Sequence, residues 1–225
     1  MKKNILSIIL FLFLSTNLQS HIDDYNDVKI LEYELFRNNQ SIGYHNYKFK
    51  KNDNSFNVSS VIKFKISKVG IVIYKYEALS EEQYENGQLV KFKSNTIQNK
   101  KIKNTNIIFD KNKLFISGSE NKITAPKEYP VGTWWNHEIV QSKAQISAIS
   151  GRVIEQNVTF LGKEKIKLYG KTYDALHFNF SSSDKNLADN KKLNTDIWYD
   201  EKTKLWLKAS FVKTGRWEYR LKNKK

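Results

Sequence analysis

Two indoles, a carboxamide and an imidazole stand side by side in Trp134-Trp135-Asn136-His137, the densest run of chemically capable side chains in the sequence. Together they would make a ligand-facing lip of two aromatic plates with two polar groups. Neighbours on a strand point to opposite faces, so such a lip requires a turn or a helix start. The same residues also suit a packing part, with the tryptophans plugging the open end of a curved sheet, Asn136 capping backbone groups and His137 solvated. Gly43-Tyr44-His45 is the second candidate. Gly43 permits tight backbone geometry or the close approach of another strand. On a continuing strand Tyr44 and His45 face opposite ways, and His45 is either a ligand or base, or a surface or satisfied histidine. His177 alternates with Leu176, Phe178 and Phe180 and is expected to face solvent. His21 would become a copper-chelating N-terminus only if cleavage followed Ser20 and a second His stood nearby.

Other chemistry is thinly represented. Glu81, Glu82 and Glu85 cluster before a turn, and Asp196 and Asp200 flank a strand, but paired catalytic carboxylates need convergence in space. The sequence contains no Gly-rich phosphate loop, no G-x-S-x-G elbow and no H-E-x-x-H motif. Its 4 His are scattered and it has no Cys, so neither a metal site nor a thiolate is indicated. No catalytic residue is assigned and no cofactor is implied. Sequons at Asn39, Asn57, Asn157 and Asn179 fit chance in a chain rich in Lys, Asn and Ile.

The N-terminus gives an address. Met1-Lys2-Lys3-Asn4 leads into an apolar run from Ile5 to Leu14 broken only by Ser7, then into Ser15, Thr16, Asn17, Gln19 and Ser20. This is the layout of a secretory signal, expected over residues 1–20. The run is too short to span a bilayer, which takes about 20 apolar residues, and no later segment qualifies. Without Cys there is no lipobox and no disulfide, so the expectation is a free protein of the periplasm of a Gram-negative bacterium. The formal charge of +15 would suit anionic headgroups or acidic polysaccharide, although the charge is spread along the chain. Nucleic acid is not an expected partner of an exported protein.

Candidate side chains need elements to hold them, and the elements read as strands. Phe56, Val58, Ser60, Ile62, Phe64 and Ile66 alternate with mostly polar residues, the period of a half-exposed antiparallel strand. Val69-Gly70 interrupts, as a bulge or bend in a long strand, and Ile71 to Tyr76 resumes. Asn38-Asn39-Gln40, Asn52-Asp53-Asn54, Glu85-Asn86-Gly87 and Asp110-Lys111-Asn112-Lys113 are hairpin turns. Further strands are expected at Arg152–Leu161, Glu164–Tyr169, Lys171–Ser181, Asp196–Tyr199, Lys204–Val212 and Arg216–Lys222. Thr133 caps a short expected helix near 133–141 that carries Trp135 and Ile139 on one face. With 2 Pro and 9 Gly, no linker and no repeat, residues 21–225 read as one domain. The fold class is mainly β: a single antiparallel, strongly curved sheet, a half-barrel or open barrel of long meandering strands.

The order of several pieces resembles an uncharacterised exported bacterial family, domain of unknown function (DUF) family 6134. They are Ser41-Ile42-Gly43-Tyr44-His45, Phe64-Lys65-Ile66 through Tyr74-Lys75-Tyr76-Glu77, Glu82-Gln83-Tyr84 to Gly87-Gln88-Leu89, Ser94-Asn95-Thr96, Thr133-Trp134-Trp135-Asn136 and Gly151. Tyr84 replaces a Trp of the family pattern, and Tyr76-Glu77-Ala78 departs from a more His-containing version. The resemblance implies fold and address and brings no established activity. More loosely, the long strands are similar to the curved half-barrels of periplasmic lipoprotein carriers.

The functional expectation is an envelope protein that binds an apolar or lipid-like ligand, or a lipid-bearing partner, on the concave face of the sheet without catalysis. Trp134, Trp135, Asn136, His137, Tyr44 and His45 are its candidate contacts. The alternatives are a structural or adaptor protein docking an envelope protein partner, and a hydrolase or isomerase using His137 or His45 as base.

Overall fold

Period-two alternation of β-branched and aromatic residues with lysines and asparagines dictates strands with one dry and one wet face. A computed structural model describes residues 25–225 apart from 26, 53 and 120. The signal segment and His21 lie outside the described residues. The first run of strands is β1 (Ile30–Arg37), β2 (Gln40–Asn52), β3 (Ser55–Lys68), β4 (Ile71–Glu85), β5 (Gln88–Gln98), β6 (Lys101–Asp110), β7 (Lys113–Gly118) and β8 (Lys122–Pro126). The second is β9 (Ala144–Ile146), β10 (Val153–Leu168), β11 (Lys171–Ser182), β12 (Asn194–Asp200), β13 (Trp206–Val212) and β14 (Arg216–Lys224).

All fourteen form one antiparallel meander in the order β8-β7-β6-β5-β4-β3-β2-β1-β14-β13-β12-β11-β10-β9. The first and last strands pair, with Glu34 opposite Arg220 and Tyr33 opposite Leu221. The two edges are therefore β8 and β9, neighbours in sequence. The connection between them, residues 127–143, starts at one edge of the sheet and finishes at the other.

The dry face carries Leu31, Tyr33, Leu35, Tyr47, Phe49, Val58, Phe92, Ile107, Ile197, Tyr199, Trp206 and Leu207, all buried. Tyr33 stacks on Trp206 at 4.1 Å, and its hydroxyl donates to the Trp206 carbonyl at 2.7 Å. Core aromatics of this size dominate the burial energy.

Turn chemistry places the hairpins. Asn38 and Asn39 (φ 50° and 65°), and Asn86 with Gly87 (φ 48° and 78°), take the left-handed conformations of tight two-residue turns. Three expectations are corrected. Val69-Gly70 is not a bend in one strand: φ values of 50° and 76° make it the β3–β4 turn. The segments at Arg152–Leu161 and Glu164–Tyr169 are one strand, β10, whose register slips between Phe160 and Gly162 as a bulge. The expected helix near 133–141 is a single 3-10 turn over His137–Gln141, capped by Asn136 rather than Thr133. Among the described residues no helix is long and apolar enough to cross a membrane.

Candidate functional site

A backbone that crosses a sheet face without joining its ladder must find other partners for its carbonyls. Residues 133–135 find them in three tyrosines. The hydroxyl of Tyr47 on β2 donates to the Thr133 carbonyl, that of Tyr199 on β12 to the Trp134 carbonyl at 2.9 Å, and that of Tyr25 to the Trp135 carbonyl. Burial holds the Tyr47 and Tyr199 phenols well above the ordinary value, so they stay neutral donors.

Trp134 has φ 62°, rare for a bulky residue, and the turn sends its side chains three ways. Trp135, with no exposure, lies edge-on to Tyr25 at 5.2 Å and Tyr84 at 5.6 Å. Its indole Nε1–H donates to Glu82 Oε1 at 3.0 Å, and the Tyr84 hydroxyl donates to Glu82 Oε2 at 2.6 Å. Burial pushes the Glu82 carboxyl above its ordinary value, against these two hydrogen bonds. Trp134 points instead to β13 and β14, edge-on to Trp206 at 5.4 Å and Tyr219 at 5.6 Å. His137 turns to β11 and β12, 4.7 Å from Tyr199 and 6.0 Å from Phe178. It is buried, which corrects the solvated His137 of the packing alternative. Asn136 is buried, and its side chain accepts from the Glu138 N–H at 3.0 Å, closing the N-terminus of the 3-10 turn.

Beside this turn lies a cavity of about 170 Å³. Trp134 forms one wall, and His45, Tyr47, Ser60, Tyr76, Thr96 and Tyr219 form much of the rest. His45 is buried, and neither ring nitrogen has a hydrogen-bond partner among the described residues. Burial drops its imidazole to about 3, so it is neutral across the physiological range and presents one donor and one acceptor. The Ser60 and Ser80 hydroxyls pair with each other at 2.9 Å along the same wall.

The candidate residues therefore part company. Trp134 and His45 share the cavity; Trp135, Asn136 and His137 are not among its walls. Tyr44 faces outward as the alternation requires, is 41% exposed, and lines a shallow groove on the opposite face. Gly43 is needed for close approach: a Cβ there would collide with the Lys63 carbonyl of β3. Sequence reasoning assigns neither Glu82 nor Tyr219 to the site. Glu82 is in phase with Tyr76, Ala78 and Tyr84 on the buried face of β4, and that spacing alone could have placed it inside.

His177 also departs from expectation. Its side chain is largely covered, stacked on Trp198 at 4.1 Å between Glu164 (3.1 Å from Nδ1) and Asp196 (3.4 Å from Nε2). Lys208 Nζ sits 4.6 Å above the other partner of that stack, Trp198. Among the described residues no group of three or more His, Asp or Glu side chains is arranged to hold a metal ion.

A search among curated proteins finds no match. A solved structure similar in fold is a beta-barrel-like protein of domain of unknown function DUF1849 from Brucella abortus. It is 11% identical, with a TM-score of 0.60 over 87% of this chain and 98% of that one. At that identity the likeness concerns the fold alone. The sequence itself matches a family model, Domain of unknown function (DUF6134), over residues 33–222, a span that takes in the cavity and the turn beside it: the chain belongs to the DUF6134 family.

Proposed function

We propose that this chain is an exported, periplasmic, non-enzymatic protein that binds an apolar or lipid-like ligand, or a lipid-bearing partner, on the concave face of a strongly curved sheet. The observation that carries the reading is the cavity between Trp134 and His45. A volume of about 170 Å³ is close to the roughly 150 Å³ that accommodates a benzene-sized apolar guest. It therefore suits one ring or a short acyl segment, and the His45 imidazole would orient a hydroxyl or carbonyl attached to it.

Curvature is supported by contacts between remote strands. In the sheet order β4 and β12 stand six strand spacings apart, about 29 Å if flat at ~4.8 Å each. Yet adjacent residues Trp134 and Trp135 reach Tyr199 on β12 and Tyr84 on β4. Gly118 at the end of β7 lies against Ser150 and Gly151, a few residues beyond the opposite edge strand β9. The similar solved structure is described as beta-barrel-like, which agrees. Export rests on the N-terminal signal pattern.

His45 is a poor base: an imidazole pushed down to about 3 takes no proton near neutral pH. An adaptor role is the second reading. A trough on the wet face lined by Lys48, Lys50, Lys91 and Lys93, against one exposed carboxylate, Glu81, favours it as a surface for an acidic partner.

The test is to isolate the protein from its own cell envelope, extract it with organic solvent and titrate the stripped protein with fatty acyl ligands. Co-purifying lipid and saturable rebinding are expected. Finding no lipid and no response to any acyl ligand would remove the proposal.

A further inference from the structure

The β3–β4 hairpin outruns its neighbours. Pairing of β2 with β3 stops at Gly43–Phe64, and pairing of β5 with β4 stops at Tyr76–Gln98. Beyond those points Lys65–Lys75, Ile66–Tyr74, Ser67–Val72 and Lys68–Ile71 pair across the hairpin. Lys75 is still held by Asn99, which donates its N–H to the Lys75 carbonyl and accepts from the Lys75 N–H, each at 2.8 Å, so the ribbon has no further ladder partner from Ile66 to Tyr74. At about 3.3 Å per residue this ribbon extends some 7–10 Å beyond that last bond to the sheet.

Its tip is apolar along β4 and at the turn, with Ser67 and Lys68 the exposed polar residues on β3. Val69 is 92% exposed, Ile71 69%, Val72 51% and Ile73 55%. Successive residues of a regular strand face opposite ways, so Ile71 and Val72 put apolar side chains on the two sides of the ribbon, and Ile73, the extra residue of a bulge between the Ser67–Val72 and Ile66–Tyr74 pairs, adds a third. A partner docking on one face would leave the other wet; a surrounding apolar medium would cover both.

The turn is also costly. Val69 is β-branched and held at φ 50°, where several other tight turns place Asn38, Asn86, Asn99 or Asn112, although the β10–β11 turn places Tyr169 there. Asn tolerates this conformation and Val does not. A strained Val that is 92% exposed offsets none of that strain by burial.

Charge identifies the medium. No carboxylate occurs between Lys63 and Glu77. Lys63 is neutralised by Glu77 at 2.6 Å, but the ladder also sets Lys65 directly opposite Lys75. Like charges facing across strands repel, and an anionic group lying between them relieves that repulsion. The groove at the foot of the hairpin, about 320 Å³, is lined by both lysines together with Tyr44 and Val72.

We propose that the β3–β4 hairpin inserts its tip into the surface of an anionic lipid bilayer, with Val69, Ile71 and Ile73 at acyl depth, Lys65 and Lys75 on the headgroups and Lys68, opposite Ile71, extending its ammonium back to them. The ribbon length matches the roughly 5–10 Å reached by interfacial elements. Full crossing is ruled out because both ribbon edges carry unpaired backbone groups that hydrocarbon cannot satisfy. This site is separate from the cavity beside Trp134 and stands whether or not that cavity takes a ligand.

The test is flotation of the isolated protein with phosphatidylcholine vesicles containing or lacking phosphatidylglycerol. The chain has no cysteine, so Val69→Cys offers a single attachment point for an environment-sensitive dye. Expected results are binding to the anionic vesicles, a blue shift of the dye on binding, and roughly tenfold or greater loss of binding in Val69→Asn/Ile71→Thr. Lys65→Gln/Lys75→Gln should lose at least about fivefold, with a weaker salt dependence. The Asn variant suits the turn, so it keeps the fold, which circular dichroism would verify. Equal flotation of wild type and Val69→Asn/Ile71→Thr, a dye that stays in water, or tip-dependent dimerisation without vesicle binding would each overturn the proposal.

Discussion

The aromatic turn and the β3–β4 tip are both apolar clusters, and they differ in what meets them. At the turn after Thr133, the carbonyls of Trp134 and Trp135 are met by the hydroxyls of Tyr199 and Tyr25, and the Trp135 indole is fully enclosed. At the β3–β4 tip, by contrast, Val69, Ile71, Val72 and Ile73 are each more than half exposed. The unusual residue types belong to the first region, yet most of them pack. The commonplace aliphatic residues belong to the second, where strain and exposure coincide. Satisfaction of polar groups and burial therefore separate packed from exposed apolar clusters better than residue type does.

The sharpest way to break this contrast is to remove the packed indole. Trp135→Ala deletes the contacts with Tyr25 and Tyr84 and the hydrogen bond to Glu82. A loss of about 3–5 kcal/mol is expected in urea unfolding. A loss below about 1 kcal/mol would mean that the turn is not a packing element.

Acid should then distinguish the cavity from the rest of the core. The unfolded chain protonates His45 near the ordinary value of 6.5, whereas the native chain holds out to about 3. Between those values the unfolded state binds the extra proton, so this contribution to stability is complete above 6.5 and is lost as pH falls through the window. Between about pH 7 and pH 5 the loss is about 2 kcal/mol. Urea midpoints at the two pH values should show that much less acid sensitivity in His45→Phe than in wild type.

A smaller effect tests the tyrosine clamps. Tyr199→Phe leaves the Trp134 carbonyl without its donor and should cost about 1–2 kcal/mol in the same unfolding assay. The smallest effect has the opposite sign. Val69→Asn relieves the left-handed valine and should raise stability by up to about 1 kcal/mol, whereas truncation in the aromatic turn lowers it.

Much of the architecture is legible in the residues. Asn38-Asn39 and Asn86-Gly87 announce their turns because Asn and Gly tolerate positive φ. Val69-Gly70 does not, because a β-branched residue at positive φ contradicts its own propensity, and the hairpin reads as a bend. The opposite facing of Tyr44 and His45 follows from the strand period. Which of the two faces inward does not, because there the aromatic and the polar residue exchange their usual sides. The three directions taken by Trp134, Trp135 and His137 depend on φ 62° at Trp134, a backbone choice dictated by distant tyrosines and invisible in the local sequence. The β4 period suffices to place Glu82 inside but not to name its remote partner, the Trp135 indole 53 residues away.

Whether the space between Trp134 and His45 receives a ligand is tested most directly by filling it. Ala78 lines the cavity, and Ala78→Leu would occupy part of it from a strand already in place. Titration of the stripped protein with a fluorescent fatty acyl ligand should give saturable one-to-one binding in wild type and a loss of roughly tenfold or more in Ala78→Leu, with both proteins folded by circular dichroism. Equal binding by the two proteins, or no binding by wild type, would contradict a ligand site there.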